Sequence, residues 1–112
     1  MAIARPLEID VELNGERALL TLRGELDIAT VPRLAEAIES ALANAPRELT
    51  LDLRPLSFLD SSGLREFIVL NDRAEREGWQ LALVRPGRPA MTIFEVTRAE
   101  ENLPFVEEPA SG

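Results

Sequence analysis

Residues 7–24 read LEIDVELNGERALLTLRG, and how this stretch folds back on itself decides the architecture. Leu7, Ile9, Val11 and Leu13 alternate with Glu8, Asp10 and Glu12, the period-two pattern of a strand with one buried face. Asn14-Gly15 follows as a two-residue hairpin signal, and Ala18, Leu20 and Leu22 resume the alternation. A turn centred on Asn14-Gly15 pairs Leu13 with Glu16. It sets Val11 opposite Ala18, Ile9 opposite Leu20 and Leu7 opposite Leu22 on one face, with Glu12 opposite Arg17 on the other. Turn chemistry and hydrophobic pattern agree, so an antiparallel hairpin opens the fold.

Beyond the hairpin, helical and strand patterns take turns. Thr30 can cap a helix in which Val31, Leu34, Ala35, Ile38, Ala41 and Leu42 recur at helical spacing, with Pro32 tolerated in the first turn and an end near Asn44. ELTLDL (48–53) alternates as a strand. A helix then runs from near Ser62 to Gly78, burying Leu64, Phe67 and Ile68 and stopping at the glycine. WQLALVRP (79–86) is a short strand, Ala90 to Thr97 a third helix, and PFVEE (104–108) a last edge strand. Strands alternating with helices imply right-handed parallel crossovers. The expected fold is α/β, a small mixed sheet made of an N-terminal antiparallel hairpin and parallel βα units. Helices cover one face and the other stays wet, because the strands alternate instead of being apolar throughout.

At 112 residues the chain is expected to form one domain, with its core at about 7–107 and a frayed tail at 108–112. Its 46% hydrophobic and 29% charged residues are those of a folding globular protein. No apolar stretch approaches the roughly 20 residues that span a bilayer, and Met1 to Pro6 lacks the features of a signal peptide, so membrane insertion is not expected and a cytoplasmic location is. A net charge of −8 disfavours nucleic acid and acidic membrane surfaces as partners. All twelve basic residues are arginine, and there is no lysine, histidine, cysteine or tyrosine. That composition removes the usual near-neutral general base, the Schiff-base amine, the thiolate nucleophile and the imidazole metal ligand together. An enzyme is not expected, and no cofactor or metal is implied.

One segment stands out, FLDSSGLREF (58–67). Asp60, Ser61 and Ser62 each carry an oxygen able to accept an orphan amide at a helix start, and Gly63 lets the first turn pack closely. That structural reading accounts for the residue types. The segment also follows the LTLDL strand, and ligand or regulatory sites in open α/β sheets lie beyond the carboxyl ends of strands, where a serine is presented outward. A hydrolase built on Ser61 would have only a carboxylate for its base, and Asp27, Asp52 and Asp60 show no loop pattern for a hard metal ion.

On Gly24-Glu25-Leu26-Asp27, LTLDLRPLSFLD (49–60) and Asp60-Ser61-Ser62-Gly63-Leu64, the chain resembles the STAS domains of bacterial anti-sigma factor antagonists, from about Leu7 to Val106. The resemblance implies that Ser61, directly after the aspartate, accepts a phosphate. It implies as partners an anti-sigma factor that is also a serine kinase and a phosphatase that resets Ser61, the chain being a monomer or weak homodimer. The partner-binding set is then Glu25, Asp27, Asp60, Ser61, Ser62, Gly63 and Leu64. Ser62 is the rival acceptor and is read as the helix cap, with Gly63 also allowing close approach of the kinase. Asp60 is either a simple cap or a kinase contact, and Glu25 and Asp27 are either contacts or a solvated loop. Phe58 and Leu59 are core or partial interface. Trp79, where the family often opens its fourth strand with a small residue, and VTRAEENLPF (96–105) depart from the pattern. The alternative keeps the fold and makes the chain a scaffold or regulatory subunit of a stressosome, lipid-transport or anion-transport system.

Overall fold

A computed structural model describes residues 6–110; residues 1–5 and 111–112, the latter the end of the expected frayed tail, lie outside the description. The chain runs β1 (Glu8–Asn14), β2 (Arg17–Leu26), α1 (Val31–Leu42), β3 (Glu48–Asp52), β4 (Leu56–Leu59), α2 (Ser61–Glu77), β5 (Gln80–Val84), α3 (Met91–Val96), a 3-10 turn (Ala99–Glu101) and β6 (Phe105–Val106). The sheet order is β1-β2-β3-β5-β6, with β4 paired to β2. β1 and β2 are antiparallel, and every other pairing is parallel.

The opening hairpin forms, but its register differs from the expected one by two residues. Asn14 pairs with Arg17, Val11 with Leu20 and Ile9 with Leu22, so the turn residues are Gly15 and Glu16. The reason is backbone geometry. Gly15 has φ +62° while Glu16 is not left-handed, which is the requirement of a turn with glycine at its first central position. A two-residue shift keeps the alternation, so no side chain changes face; a one-residue slip would have reversed them all. β1 is an edge strand, and burial fades from Leu7 just before it, at 0% exposed, to Leu13 near its end, at 53%.

Two cross-strand rows face the helices: Ala18, Leu49 and Leu81, and Leu20, Leu51 and Leu83. Against them pack Leu34, Ile38 and Ala41 of α1, Leu64, Phe67, Leu70 and Ala74 of α2, and Met91 and Phe94 of α3. Phe94 links the last elements to the core, stacked 6.1 Å from Phe67 and edge-on to Phe105 at 5.0 Å. Ile68, expected in the core, is 48% exposed. It lies one residue beyond Phe67, so the helical rotation of about 100° per residue carries it off the buried face.

Helices occupy one face of the sheet, as expected, yet the other face is not uniformly wet. Thr50, Asp52 and Val84 at its centre are buried. Arg54 folds back over Asp52, donating from Nε to Oδ1 (3.0 Å) and from Nη2 to Oδ2 (2.8 Å). Pro109 and Ala110 share a small cavity with Leu19 and Thr50 on the same side. Burial raises the Asp52 carboxyl, but the Arg54 hydrogen bonds outweigh it and leave the group below the ordinary carboxylate value.

β4 was not expected as a strand. The chain breaks at Arg54-Pro55, where Leu56 N–H donates to Leu53 O, and resumes along β2. β2 serves both neighbours in turn: Arg17 to Thr21 pair with β3, and Gly24 to Leu26 with β4, across a bulge between Gly24 and Glu25. Gly24 has φ +101°, and a Cβ there would sit 2.3 Å from the Pro6 carbonyl oxygen. Only glycine fits this handover.

Gly24→Ala should therefore cost more than about 2 kcal/mol in urea unfolding, since a backbone atom cannot rotate aside as a side chain can; an unchanged midpoint would show the bulge to be dispensable. Asp52 has a lowered folded pKa, so its contribution is present above the unfolded carboxylate range and lost as pH falls through the folded value. Stability of the wild type should fall more steeply than that of Asp52→Asn between about pH 5 and pH 2, and parallel acid limbs would contradict the assignment.

Candidate functional site

The site is built where β2 and β4 end side by side. Glu25 lies opposite Phe58 and Leu26 opposite Leu59, and the Asp60 N–H donates to the Leu26 carbonyl at 3.2 Å. Ser57 Oγ donates to the Gly24 carbonyl at 3.1 Å, which pins β4 to the bulge. The loops 27–30 and 60–61 thus leave the sheet together and start α1 and α2.

Asp60 is the N-cap of α2. Its Oδ1 accepts from Ser62 N (2.9 Å) and Gly63 N (3.2 Å), and its Oδ2 accepts from Ile28 N (3.3 Å) in the other loop. The capping role given to Ser62 in the sequence reading therefore falls to Asp60. Extended backbone at Asp60 (φ −107°, ψ −174°) points its short carboxylate at the two amides, whereas Ser62 already sits inside the helix.

Asp27 has the same job for α1. Its Oδ1 accepts from Ala29 N (2.9 Å) and Thr30 N (3.1 Å), and its carbonyl accepts from Val31 N at 2.9 Å. Thr30 was expected to cap α1 with its own side chain. Instead its Oγ1 donates back to the Glu25 carbonyl and accepts from Asp27 N, both at 2.9 Å, because its backbone is already helical and the hydroxyl faces the preceding loop. Asp27 and Asp60 are thereby both caps, and Glu25 is half-buried at the β2 end.

Ser61, the first residue of α2, is exposed, and Ser62 is partly buried. Gly63 and Leu64 are buried beneath them. A Cβ on Gly63 would come 2.3 Å from Leu59 Cδ1 and 2.8 Å from Leu26 Cδ2, so the glycine serves inward packing of the helix on the β2 and β4 ends. Exposed apolar side chains lie on the two segments that meet at Asp60: Phe58, expected as core or partial interface, is 44% exposed, and Ile28, whose amide donates to Asp60, is 77% exposed. Ile28 was missed; its signal is a large aliphatic residue in a loop whose neighbours Asp27 and Thr30 are busy with backbone bonds. Leu59 is core. Among the described residues no group of histidine, cysteine, aspartate or glutamate could hold a metal ion.

The family profile described as "Mlab, STAS domain" matches residues 9–107. The chain belongs to the STAS domain family. The anti-sigma-B factor antagonist of Bacillus subtilis is 26% identical to it over 91 residues, covering 81% of this chain and 83% of that protein. Among solved structures, an anti-sigma factor antagonist from Mycobacterium paratuberculosis superposes with a TM-score of 0.78 at 23% identity, over 95% of this chain and 92% of that one. SpoIIAA in its unphosphorylated form gives 0.75 at 21% identity, over 91% of this chain and 89% of that one. The phosphorylated form gives 0.70, also at 21%, over 91% and 92%. These structural likenesses carry the fold: a STAS sheet with helices on one face.

In a solvent-facing helix an alanine is better than glycine by about 1 kcal/mol. Gly63→Ala in this STAS domain should reverse that sign and destabilise by about 1 to 3 kcal/mol, since Leu59 and Leu26 must both move. A gain in urea midpoint would mean that the helix start is less tightly seated than the geometry indicates.

Proposed function

We propose that the chain is an anti-sigma factor antagonist whose switch is Ser61. Unmodified, it docks on an anti-sigma factor that is also a serine kinase, and phosphorylation of Ser61 by that kinase ends the complex. A phosphatase acting on phosphorylated Ser61 restores it. The observation that carries the reading is the placement of one hydroxyl: Ser61 is exposed at the start of α2, beside the exposed apolar side chains of Ile28 and Phe58. The membership of the STAS domain family and the names of its relatives support the same reading.

Physically, the docking surface is the apolar pair with Ser61, Ser62 and Glu25 around it, while Asp27, Asp60, Gly63 and Leu64 act from beneath by fixing the two loops. Phosphate adds about 1.5 to 2 negative charges beside the Asp60 carboxylate. Apolar contacts around a new, strongly hydrated anion lose their dry environment, and juxtaposed like charges at an interface cost several kcal/mol, about a hundredfold or more in affinity. The chain does no chemistry of its own in this scheme and works in the cytoplasm; none of its helices among the described residues is long and apolar enough to cross a membrane.

A pull-down from native extract tests it. With ATP, the wild type should recover a kinase-like protein and gain one phosphate in intact mass, while Ser61→Ala recovers the same protein and gains none. Titration of that partner with the phosphorylated chain should show affinity lower by about a hundredfold or more. Equal affinity of both forms, or a phosphate that still arrives on Ser61→Ala, would remove Ser61 as the switch.

A further inference from the structure

Arginine is the only basic residue type in the chain, and nearly all of it is used internally. Among the described residues every arginine except Arg33 and Arg65 lies in an ion pair. The pairing on helices follows spacing: Arg73 meets Glu77 and Arg76 meets Asp72 at i,i+4. Arg33 has Glu36 three residues on. Arg65 has no carboxylate at any neighbouring helical position. Its i−4 and i−3 neighbours are Ser61 and Ser62, and its i+3 and i+4 neighbours are Ile68 and Val69. Leaving a guanidinium unpaired in a chain of net charge −8 is conspicuous when every other arginine of α2 is paired.

The helix start does not offer the charge that a phosphate on Ser61 needs. The Ser62 and Gly63 amides are already taken by the Asp60 carboxylate, and the Leu64 amide by the Asp60 carbonyl. A phosphate there therefore meets a carboxylate at residue 60 and few free donors. One turn along, residues i and i+4 of a helix stand about 5 to 6 Å apart at Cβ, and the arrangement with the anion N-terminal to the cation is the favourable one. Both Ser61 and Arg65 are exposed on the outer side of α2, away from Leu64, Phe67 and Leu70.

We propose that Arg65 is the intrachain counter-ion of phosphorylated Ser61, a positioning residue that draws the phosphate along α2 and away from the Asp60 cap. The proposal rests on the reading of Ser61 as the phosphorylated residue. Its consequence is that phosphorylation completes an i,i+4 ion pair that the sequence leaves open. Asp60 keeps its three amides, so both loops keep their shape, and the phosphate stays fixed on the docking surface instead of sampling it. The fork of the guanidinium suits two phosphate oxygens at once, which a lysine at this position could match only as a point charge.

The test installs phosphoserine at position 61 during translation, so that no kinase is needed, and follows its second ionisation by phosphorus NMR. Arg65 favours the dianion and lowers that ionisation midpoint. Arg65→Gln should raise it by about 0.3 to 0.7 pH unit, an i,i+4 ion pair strengthened by charge-assisted hydrogen bonding. Arg65→Lys should fall between the two, and Arg33→Gln should leave the midpoint where the wild type has it. Circular dichroism of the unphosphorylated Arg65→Gln chain should match the wild type. Coincident titrations of wild type and Arg65→Gln would overturn the proposal, and so would an equal shift in Arg33→Gln, which would reduce the effect to net charge. Either result leaves partner binding untouched. Conversely, a phosphorylated chain that keeps its affinity for the anti-sigma factor refutes the proposed function while the titration stands.

Discussion

The carboxylate of Asp60 ties together two loops that are 32 residues apart in sequence. One oxygen receives the first amides of α2, and the other receives the amide of Ile28 ahead of α1. Without it, α2 would begin with orphan donors and the Ile28 loop would lose its only side-chain tether from the other loop among the described residues. A cap of this kind contributes about 1 kcal/mol to helix stability, modest against the core. Its larger effect is geometric: with the amides held from the Asp60 side, the Ser61 side chain is left to face solvent.

This arrangement needs the sheet to deliver the two loops to the same place. β2 does so by changing partners, from β3 along its first half to β4 at its end, and the change is made at Gly24. The bulge, the Ser57 bond to the Gly24 carbonyl and the buried pair of Leu26 and Leu59 under Gly63 form a rigid base. A phosphate placed above such a base alters the surface while the support stays as it was. That division of labour is what the proposed switch at Ser61 requires.

Much of this was legible in the residues. Periodicity and turn signals marked α1, α2, the hairpin and the strands β3 and β5, because segments with a repeating apolar pattern carry their own evidence, while the short α3 and β6 were placed from brief apolar stretches near the end of the chain. The DSSG segment marked the helix start. What escaped has particular causes. The hairpin register slipped by two residues because Asn14-Gly15 satisfies the sequence rule for a turn, while the backbone uses Gly15 in the first turn position. β4 is only four residues, Leu56–Leu59, and its strand character comes from β2 beside it. The choice between Asp60, Ser61 and Ser62 as cap depends on one backbone dihedral and cannot be read from three residues that are all competent acceptors. Ile68 was assigned to the core by its type, and the rotation of α2 places it outside.

At the centre of the account is a phosphate that changes what a partner meets and leaves the fold beneath intact. Amide-resolved NMR spectra of the chain before and after phosphorylation test that most directly. The account predicts shifts confined to the loop at residues 25–31 and to residues 58–66, with the amides of β3, β5 and α3 unmoved and spectral dispersion retained. Shifts spread through those elements, or a collapse of dispersion, would mean that the modification acts by loosening the domain and would contradict the account.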